Sequence, residues 1–249
     1  MSTTWRARAA VPEADLRSQL AYLRKRGFVG FTITEAELRR AEGTLPPRSV
    51  VVTFDDGYAS TLRSAPILEE FGYPGTVFVV TRFVESGEPL AWAGLEQVPE
   101  RDMRDELCSL TWPELEELAN VGWEVGSHTS THPLLTRVGD QRLQEELVES
   151  RAAIEHKLGR CSAIAYPYGV ADTRVAGAAS RAGYTVGCML TFVHFVDEPL
   201  RRPRVEMGAD ESRVALTVKV SRLGRAARRS RPARLARTMR RRRYWLPEG

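Results

Sequence analysis

The stretch Ser49-Val-Val-Val-Thr-Phe54-Asp55-Asp56-Gly57 decides the fold. Its unbroken β-branched and aromatic run reads as a strand buried on both faces, the pattern of a parallel sheet covered by helices. The run ends abruptly in two carboxylates and a glycine, so the strand delivers polar side chains at its C-terminal end. Adjacent Asp55 and Asp56 are costly neighbours, because like charges at close range raise each other's proton affinity unless a cation separates their roles. A bound metal ion would resolve that conflict.

Working outward, helical periodicities alternate with short β-rich runs. Helices are predicted over 16–26, 60–71, 112–120, 140–158 and 173–182, and strands over 75–80, 123–126, 163–166, 184–190 and, as a last short one, 204–207. About seven βα units are visible, which predicts a parallel barrel in a single catalytic domain. Between residues 82 and 110 the pattern lapses into Gly, Pro and mixed charge, the composition of a loop insertion over the barrel mouth.

A second polar motif follows the strand at 123–126. His128-Thr-Ser-Thr-His132 places two imidazoles four residues apart, a spacing that lets both point at one ion from a tight turn fixed by Pro133. One carboxylate, Asp56, plus His128 and His132 would leave coordination positions open, as in a catalytic rather than a structural metal site. Zinc is the favoured ion, and cobalt or nickel suits similar ligands. Taken singly, Asp-Asp-Gly also reads as a plain turn and the histidines as surface residues. Jointly they fall at two strand ends on the C-terminal face, where such barrels keep their active sites.

The bulk properties narrow the setting. A chain of 249 residues with 43% hydrophobic content suffices for one sizeable core. No apolar run approaches the roughly 20 residues of a membrane-spanning helix, and the first 30 residues carry no secretory signal, so a cytoplasmic location is expected. Cys108, Cys161 and Cys188 are widely spaced and odd in number, and indicate neither disulfides nor a cysteine zinc site. The net charge of +4 conceals a split: residues 222–249 carry eleven arginines against Glu248 alone, which leaves −6 for residues 1–221. The expected organisation is therefore a catalytic domain over 1–221 and a basic tail over 222–249. A solvated tail is preferred, attachment to an anionic membrane surface comes next, and nucleic-acid binding comes last.

The motifs Thr53-Phe-Asp55-Asp56-Gly-Tyr58, Ser127-His128-Thr-Ser-Thr-His132-Pro133 and Tyr166-Pro-Tyr168-Gly169 together resemble those of the polysaccharide deacetylases, the NodB-homology group of carbohydrate esterase family 4. The resemblance runs from about Glu13 to Met207, and the connecting segments Leu110-Thr-Trp112-Pro-Glu-Leu and Gly122-Trp-Glu-Val-Gly126 share it. It implies a distorted (β/α)7 TIM-like barrel. It also implies that Asp55 is the general base for a metal-activated water, that Asp56, His128 and His132 are the ligands, and that the Tyr168 backbone N–H supports the oxyanion. Tyr166 and Tyr168 are further candidates for contact with the sugar, beside a reading in which this segment is a plain turn.

The sequence also departs from the family pattern. Where many members carry an arginine that orients the catalytic aspartate, two positions before the proline of the third motif, this chain has Ala165. Arg204 has two readings, an arginine that faces Asp55, as in a permuted branch of the family, and an exposed surface arginine, of which the second is preferred. In that branch the catalytic acid is a histidine on a strand before the first helix. Met1-Ser-Thr-Thr-Trp5 offers no such strand, which leaves His194 as the local candidate acid beside an ordinary loop-histidine reading.

The function expected is hydrolysis of an N-acetyl or other N-acyl group on an amino sugar or glycoconjugate. The rivals are a catalytically impaired metal- or carbohydrate-binding module on the same fold, and a protein defined by tail-driven binding to membrane or nucleic acid.

Overall fold

The computed structural model describes residues 11–91, 107–190, 198–207 and 213–221. His194 and the Arg-rich tail lie outside them. Six parallel strands pair in sequence order: β3 (Val52–Phe54), β4 (Gly75–Val79), β5 (Glu124–Ser127), β6 (Ala163–Ala165), β7 (Val186–Leu190) and β8 (Arg202–Arg204). A separate parallel ladder joins β1 (Val29–Gly30) to β2 (Ser49–Val50). Because every neighbour in the large sheet is also the next strand in the chain, each crossover steps one strand in the same direction. That is barrel-type winding, not the reversal of a doubly wound sheet.

The register sorts side chains onto two faces. Thr53 lies opposite Thr76, Phe78 opposite Gly126, Ala163 opposite Val186, Ala165 opposite Cys188 and Leu190 opposite Arg204. One face carries Val77, Val79, Val125, Ile164 and Met189 into the main core, against helices α3 (Ala65–Glu70), α5 (Trp112–Asn120), α6 (Asp140–Leu158) and α7 (Thr173–Arg181). The other face gathers Phe78, Ala163, Ala165, Val186 and Cys188 into a smaller cluster, against which Ile33 of α2 (Ile33–Ala41) packs.

Helix α2 closes the N-terminal ends of the strands. Ile33 N donates to Thr76 Oγ1 at 3.1 Å, Thr34 N donates to Glu124 Oε2 at 2.9 Å, and Arg202 Nε donates to Glu37 Oε2 at 2.7 Å. At the opposite end Arg204 Nη1 donates to Thr53 Oγ1 at 3.0 Å. This bond crosses from the last strand of the ladder to the first, so the sheet curls until its two edges are within side-chain reach. The architecture is an α/β fold with a curled parallel sheet. Among the described residues it pairs six strands in one ladder, against the seven βα units expected.

Helix α1 (Glu13–Lys25) forms where expected, and no helix among the described residues is long and apolar enough to cross a membrane. Three expectations change. The helix expected over 60–71 is a 3₁₀ turn (Ala59–Ser64) followed by α3, because Pro66 is tolerated only in a first helical turn. The stretch expected as a loop from residue 82 is partly helical, since α4 (Thr81–Ser86) buries Phe83 and Val84. The last strand falls at β8 rather than 204–207, with Pro203 on a strand whose outer side has no ladder partner among the described residues. The chain closes its described part with α8 (Arg213–Val220), in which Leu216 is buried.

Gly126 gives a direct test of this register. A Cβ there would lie 2.6 Å from Phe78 Cε1 and 3.0 Å from the Ala163 carbonyl oxygen, on the crowded inner face. Gly126→Ala is expected to destabilise the fold by about 1–3 kcal/mol, the usual cost of overpacking, which lowers the melting temperature by several degrees. An unchanged melting temperature would place Gly126 elsewhere.

Candidate functional site

The site is built at the C-terminal ends of β3, β5 and β6. After β3 the chain turns through Asp56 (φ 70) and Gly57 (φ 74), both left-handed. A Cβ at Gly57 would lie 2.9 Å from Val79 Cγ1, so position 57 requires glycine on both conformational and steric grounds. Tyr58 hydrogen-bonds the Asp56 carboxylate. After β5, His128 N donates to the Val79 carbonyl at 2.8 Å, extending the sheet pairing into the histidine loop. Thr129 N donates to Ser127 Oγ and His132 N donates to Thr129 Oγ1, each at 3.0 Å. Backbone and short polar side chains thus shape the loop before any ligand is considered.

These turns bring three potential donors together. Asp56 Oδ1 lies 3.3 Å from His128 Nε2 and 3.5 Å from His132 Nε2, and the three ligand atoms all lie within 4.8 Å of one another. Both imidazoles are buried, at 2% and 5% exposure. His128 Nδ1 is 2.7 Å from the Ala165 carbonyl oxygen, so it carries the proton and Nε2 turns its lone pair toward Asp56. A lone pair facing a carboxylate calls for a cation between them.

The electrostatics agree with that reading. Burial disfavours a charged His128, yet its hydrogen bond to Asp56 and the nearby Asp55 and Asp56 carboxylates raise its pKa overall. At His132 burial dominates, joined by repulsion from His128, and lowers the pKa to about 3. A neutral imidazole beside a carboxylate and a second imidazole is a donor set that suits a zinc-like divalent ion.

Asp55 sits beside this cluster and is bound from across the sheet. Arg204 Nη1 and Nη2 donate to Asp55 Oδ1 and Oδ2, each at 2.7 Å, a bidentate pairing. Burial alone would raise the Asp55 pKa, but the Arg204 charge and hydrogen bonds and the nearby histidines outweigh it, and the carboxyl is held down at about 2. Arg204 is therefore not the exposed surface residue preferred from sequence. Its side chain is only 12% exposed, because β8 faces it inward over the Phe78 ring, 5.3 Å from the ring centroid.

The third motif divides. The Tyr168 ring lies against His132, with centroids 4.8 Å apart, and its backbone is left-handed (φ 58). Tyr166, a candidate for contact with the sugar beside a packing reading, has no exposed surface, and its hydroxyl donates to the Leu200 carbonyl at 2.8 Å. A ring without exposure has no face to offer a sugar, so Tyr166 is a packing residue. Sequence reasoning also passed over Glu146, which α6 buries beneath the histidine loop. The available signal was its place among Leu143, Leu147, Ser150 and Ile154 on the buried face of that helix.

A family model for polysaccharide deacetylase matches residues 42–187. The chain belongs to the polysaccharide deacetylase family. Among curated relatives of this family member, YxkH of Bacillus subtilis is 25% identical over 180 residues, 71% of this chain and 57% of that one. The poly-beta-1,6-N-acetyl-D-glucosamine N-deacetylase of Staphylococcus aureus (strain MSSA476) is 26% identical over 192 residues, 73% of this chain and 61% of that protein. The chain thus spans about three fifths of the length of the curated relatives it matches. Among solved structures, the deacetylase PplD of Streptococcus pyogenes superposes with a TM-score of 0.73 at 22% identity, covering 89% of this chain and 93% of that one, a likeness of fold. IcaB from Ammonifex degensii superposes with a TM-score of 0.68 at 25% identity, covering 84% and 89%.

The Asp55–Arg204 pair fixes a pH signature for this protein. A carboxyl whose folded pKa is about 2, below its ordinary 3.8, contributes stability that is present above that ordinary value and lost as pH falls through about 2. Arg204→Leu should lower stability at neutral pH by at least about 1.5 kcal/mol, the lower end for hydrogen bonds to charged groups. The gap between wild type and variant should close as the pH is lowered from about 4 to about 2. Thermal unfolding against pH measures both, and a gap independent of pH would mean that the pair does not govern Asp55.

Proposed function

We propose that this chain hydrolyses the N-acetyl group of an N-acetylated amino sugar or glycoconjugate, with Asp56, His128 and His132 holding one divalent metal ion, most simply zinc. The observation that supports this reading best is the ionised Asp55 carboxylate, fixed by Arg204 beside three convergent donors in a chain of the deacetylase family. The name of the Staphylococcus aureus relative supports an N-acetylhexosamine as the acylated unit.

When bound, the ion supplies Lewis acidity, polarising the acyl carbonyl and making a water acidic enough to attack near neutral pH. Asp55, ionised across the working pH range, accepts the proton that this water loses as its oxygen bonds to the acyl carbon. Arg204 keeps that carboxylate charged and aimed, leaving its outer lone pairs for the water. The Tyr168 backbone N–H donates to the oxyanion as the carbonyl bond opens. The C–N bond then breaks, the nitrogen leaves as the amine after taking a proton, and acetate is released. His194 remains the candidate for that proton.

The rival reading, an impaired binding module, drew on Ala165 standing where an orienting arginine is expected and on the absence of an assured catalytic acid. Arg204 reaches the same aspartate from β8, which answers the first of these grounds.

Chelation should abolish release of acetate from N-acetylglucosamine oligomers, and added zinc or cobalt should restore it. Asp55→Asn is expected to lower kcat by about 10²-fold or more while the protein still binds metal, whereas His128→Ala should lose the metal itself. Undiminished turnover after chelation, or a fully active Asp55→Asn, would reject the proposal.

A further inference from the structure

Glu146 is a second buried carboxylate, and the reaction proposed above makes no use of it. It projects from α6 with no exposed surface. Its Oε2 accepts from the backbone N–H of Ser130 and of Thr131, both at 2.8 Å, and its Oε1 accepts from Thr131 Oγ1 at 2.5 Å. Arg142 Nη2, one turn earlier on the helix, lies 2.6 Å from Oε1. Desolvating a carboxylate costs several kcal/mol unless its lone pairs are filled. Here they are filled chiefly by one short segment.

That segment is the middle of the histidine loop. Between His128 and His132 the chain passes through the left-handed region at Thr129 (φ 71) and again at His132 (φ 63). For a β-branched residue this is an outlier, and each such conformation costs of the order of 1–3 kcal/mol unless the surroundings impose it. Other restraints come from the loop itself, from α4, from the sheet and from Arg142: Ser127 Oγ and Thr129 Oγ1 accept from within the loop, Thr81 N and Arg82 N donate to the Thr129 and Ser130 carbonyls, His128 bonds the Val79 and Ala165 carbonyls, and Arg142 Nη2 donates to Thr131 Oγ1 at 3.0 Å. Glu146 ties the same loop to the long helix α6.

We infer that Glu146 is a positioning residue of the metal centre: by binding the Ser130 and Thr131 N–H groups it fixes the loop curvature that makes His128 and His132 converge on Asp56, and so sets metal affinity. This rests on the metal-ligand reading proposed above. A glutamine keeps the size of the side chain but offers one acceptor oxygen in place of two, and it removes the charge that holds Arg142. Arg142 itself is 48% exposed, so its removal should matter less.

The test uses the full chain, stripped with a chelator and titrated with zinc against a chromophoric competitor, and with cobalt followed by its visible spectrum. Glu146→Gln is expected to weaken zinc binding by about 10–100-fold, the range for partners that orient metal ligands from outside the coordination sphere, and to alter the cobalt spectrum. Substitution of the half-buried neighbour, Glu145→Gln, should leave both unchanged. A lower melting temperature of the stripped protein with unchanged affinity and spectrum would make Glu146 a staple of the fold only and overturn the inference. If Glu146→Gln does not fold, Glu146→Asp decides, since it keeps the charge but draws the carboxylate back from the Ser130 and Thr131 N–H groups: weaker zinc binding upholds the role, and unchanged binding rejects it. Wild-type protein that binds no zinc would instead defeat the metal reading itself.

Discussion

The two parallel hydrogen bonds from Arg204 to Asp55 join residues 149 positions apart and, with them, the two edges of the sheet. The inner face between those edges is apolar at mid-height, with Phe78, Ala165 and Cys188 all fully buried. Neither charge would be stable alone above such a floor, because burial would drive the carboxyl toward its neutral form. Paired, they hold each other ionised, and the planar guanidinium matches the carboxylate while lying over the Phe78 ring. A lysine could supply the charge but neither the second parallel bond nor the flat face. The same pair therefore brings the sheet edges together and keeps an ionised base candidate at its rim.

Polarity on the inner face is distributed by height. At the N-terminal ends of the strands the polar groups Thr76, Glu124 and Arg202 are all taken up by α2, through Ile33, Thr34 and Glu37. At the C-terminal ends Asp55, Asp56 and the two histidines face one another instead. One end is closed by internal pairing and the other keeps its donors grouped, the division between a stabilising and an active face expected of parallel barrels. The glutamate of the closed end answers to a helix, whereas the carboxylates of the open end answer to an arginine and to imidazoles.

Much of this was legible in the sequence, for identifiable reasons. The run before Asp55 reads as a parallel strand because it lacks alternation, although it divides into β2 and β3 in separate ladders and is half-buried rather than buried on both faces. The clustered Asp and His residues stand out because strand ends seldom gather such groups by chance. The partner of Asp55 was not legible. That Arg204 faces it follows only from the curl of the sheet, which no local pattern encodes. Helix α2 and β1 were missed because their stretches are too short to register a period, and β2 was read as continuous with β3. Tyr166 was misjudged although the signal existed: Ala163 and Ala165 belong to the inner cluster, so the alternation of β6 turns the next side chain toward the helices.

Backbone strain gives an independent indication of where function lies. Among the described residues, the non-glycine positions with positive φ are Asp56, Thr129, His132 and Tyr168. Asp tolerates that conformation, but a threonine, a histidine and a tyrosine adopt it only where their surroundings leave no alternative. All four lie in loops that leave β3, β5 and β6 at the same end of the sheet, and none lies at the end closed by α2. Nothing about packing a hydrophobic core requires this, since the apolar floor is met by ordinary extended strands. What the left-handed turns accomplish is to bend the chain back sharply after each strand, so that Asp56 and both imidazoles converge and the Tyr168 ring covers His132. Hydrogen bonds accepted by the Ser127, Thr129 and Glu146 side chains hold the histidine loop in that shape, and their cost is justified only by the convergence they produce.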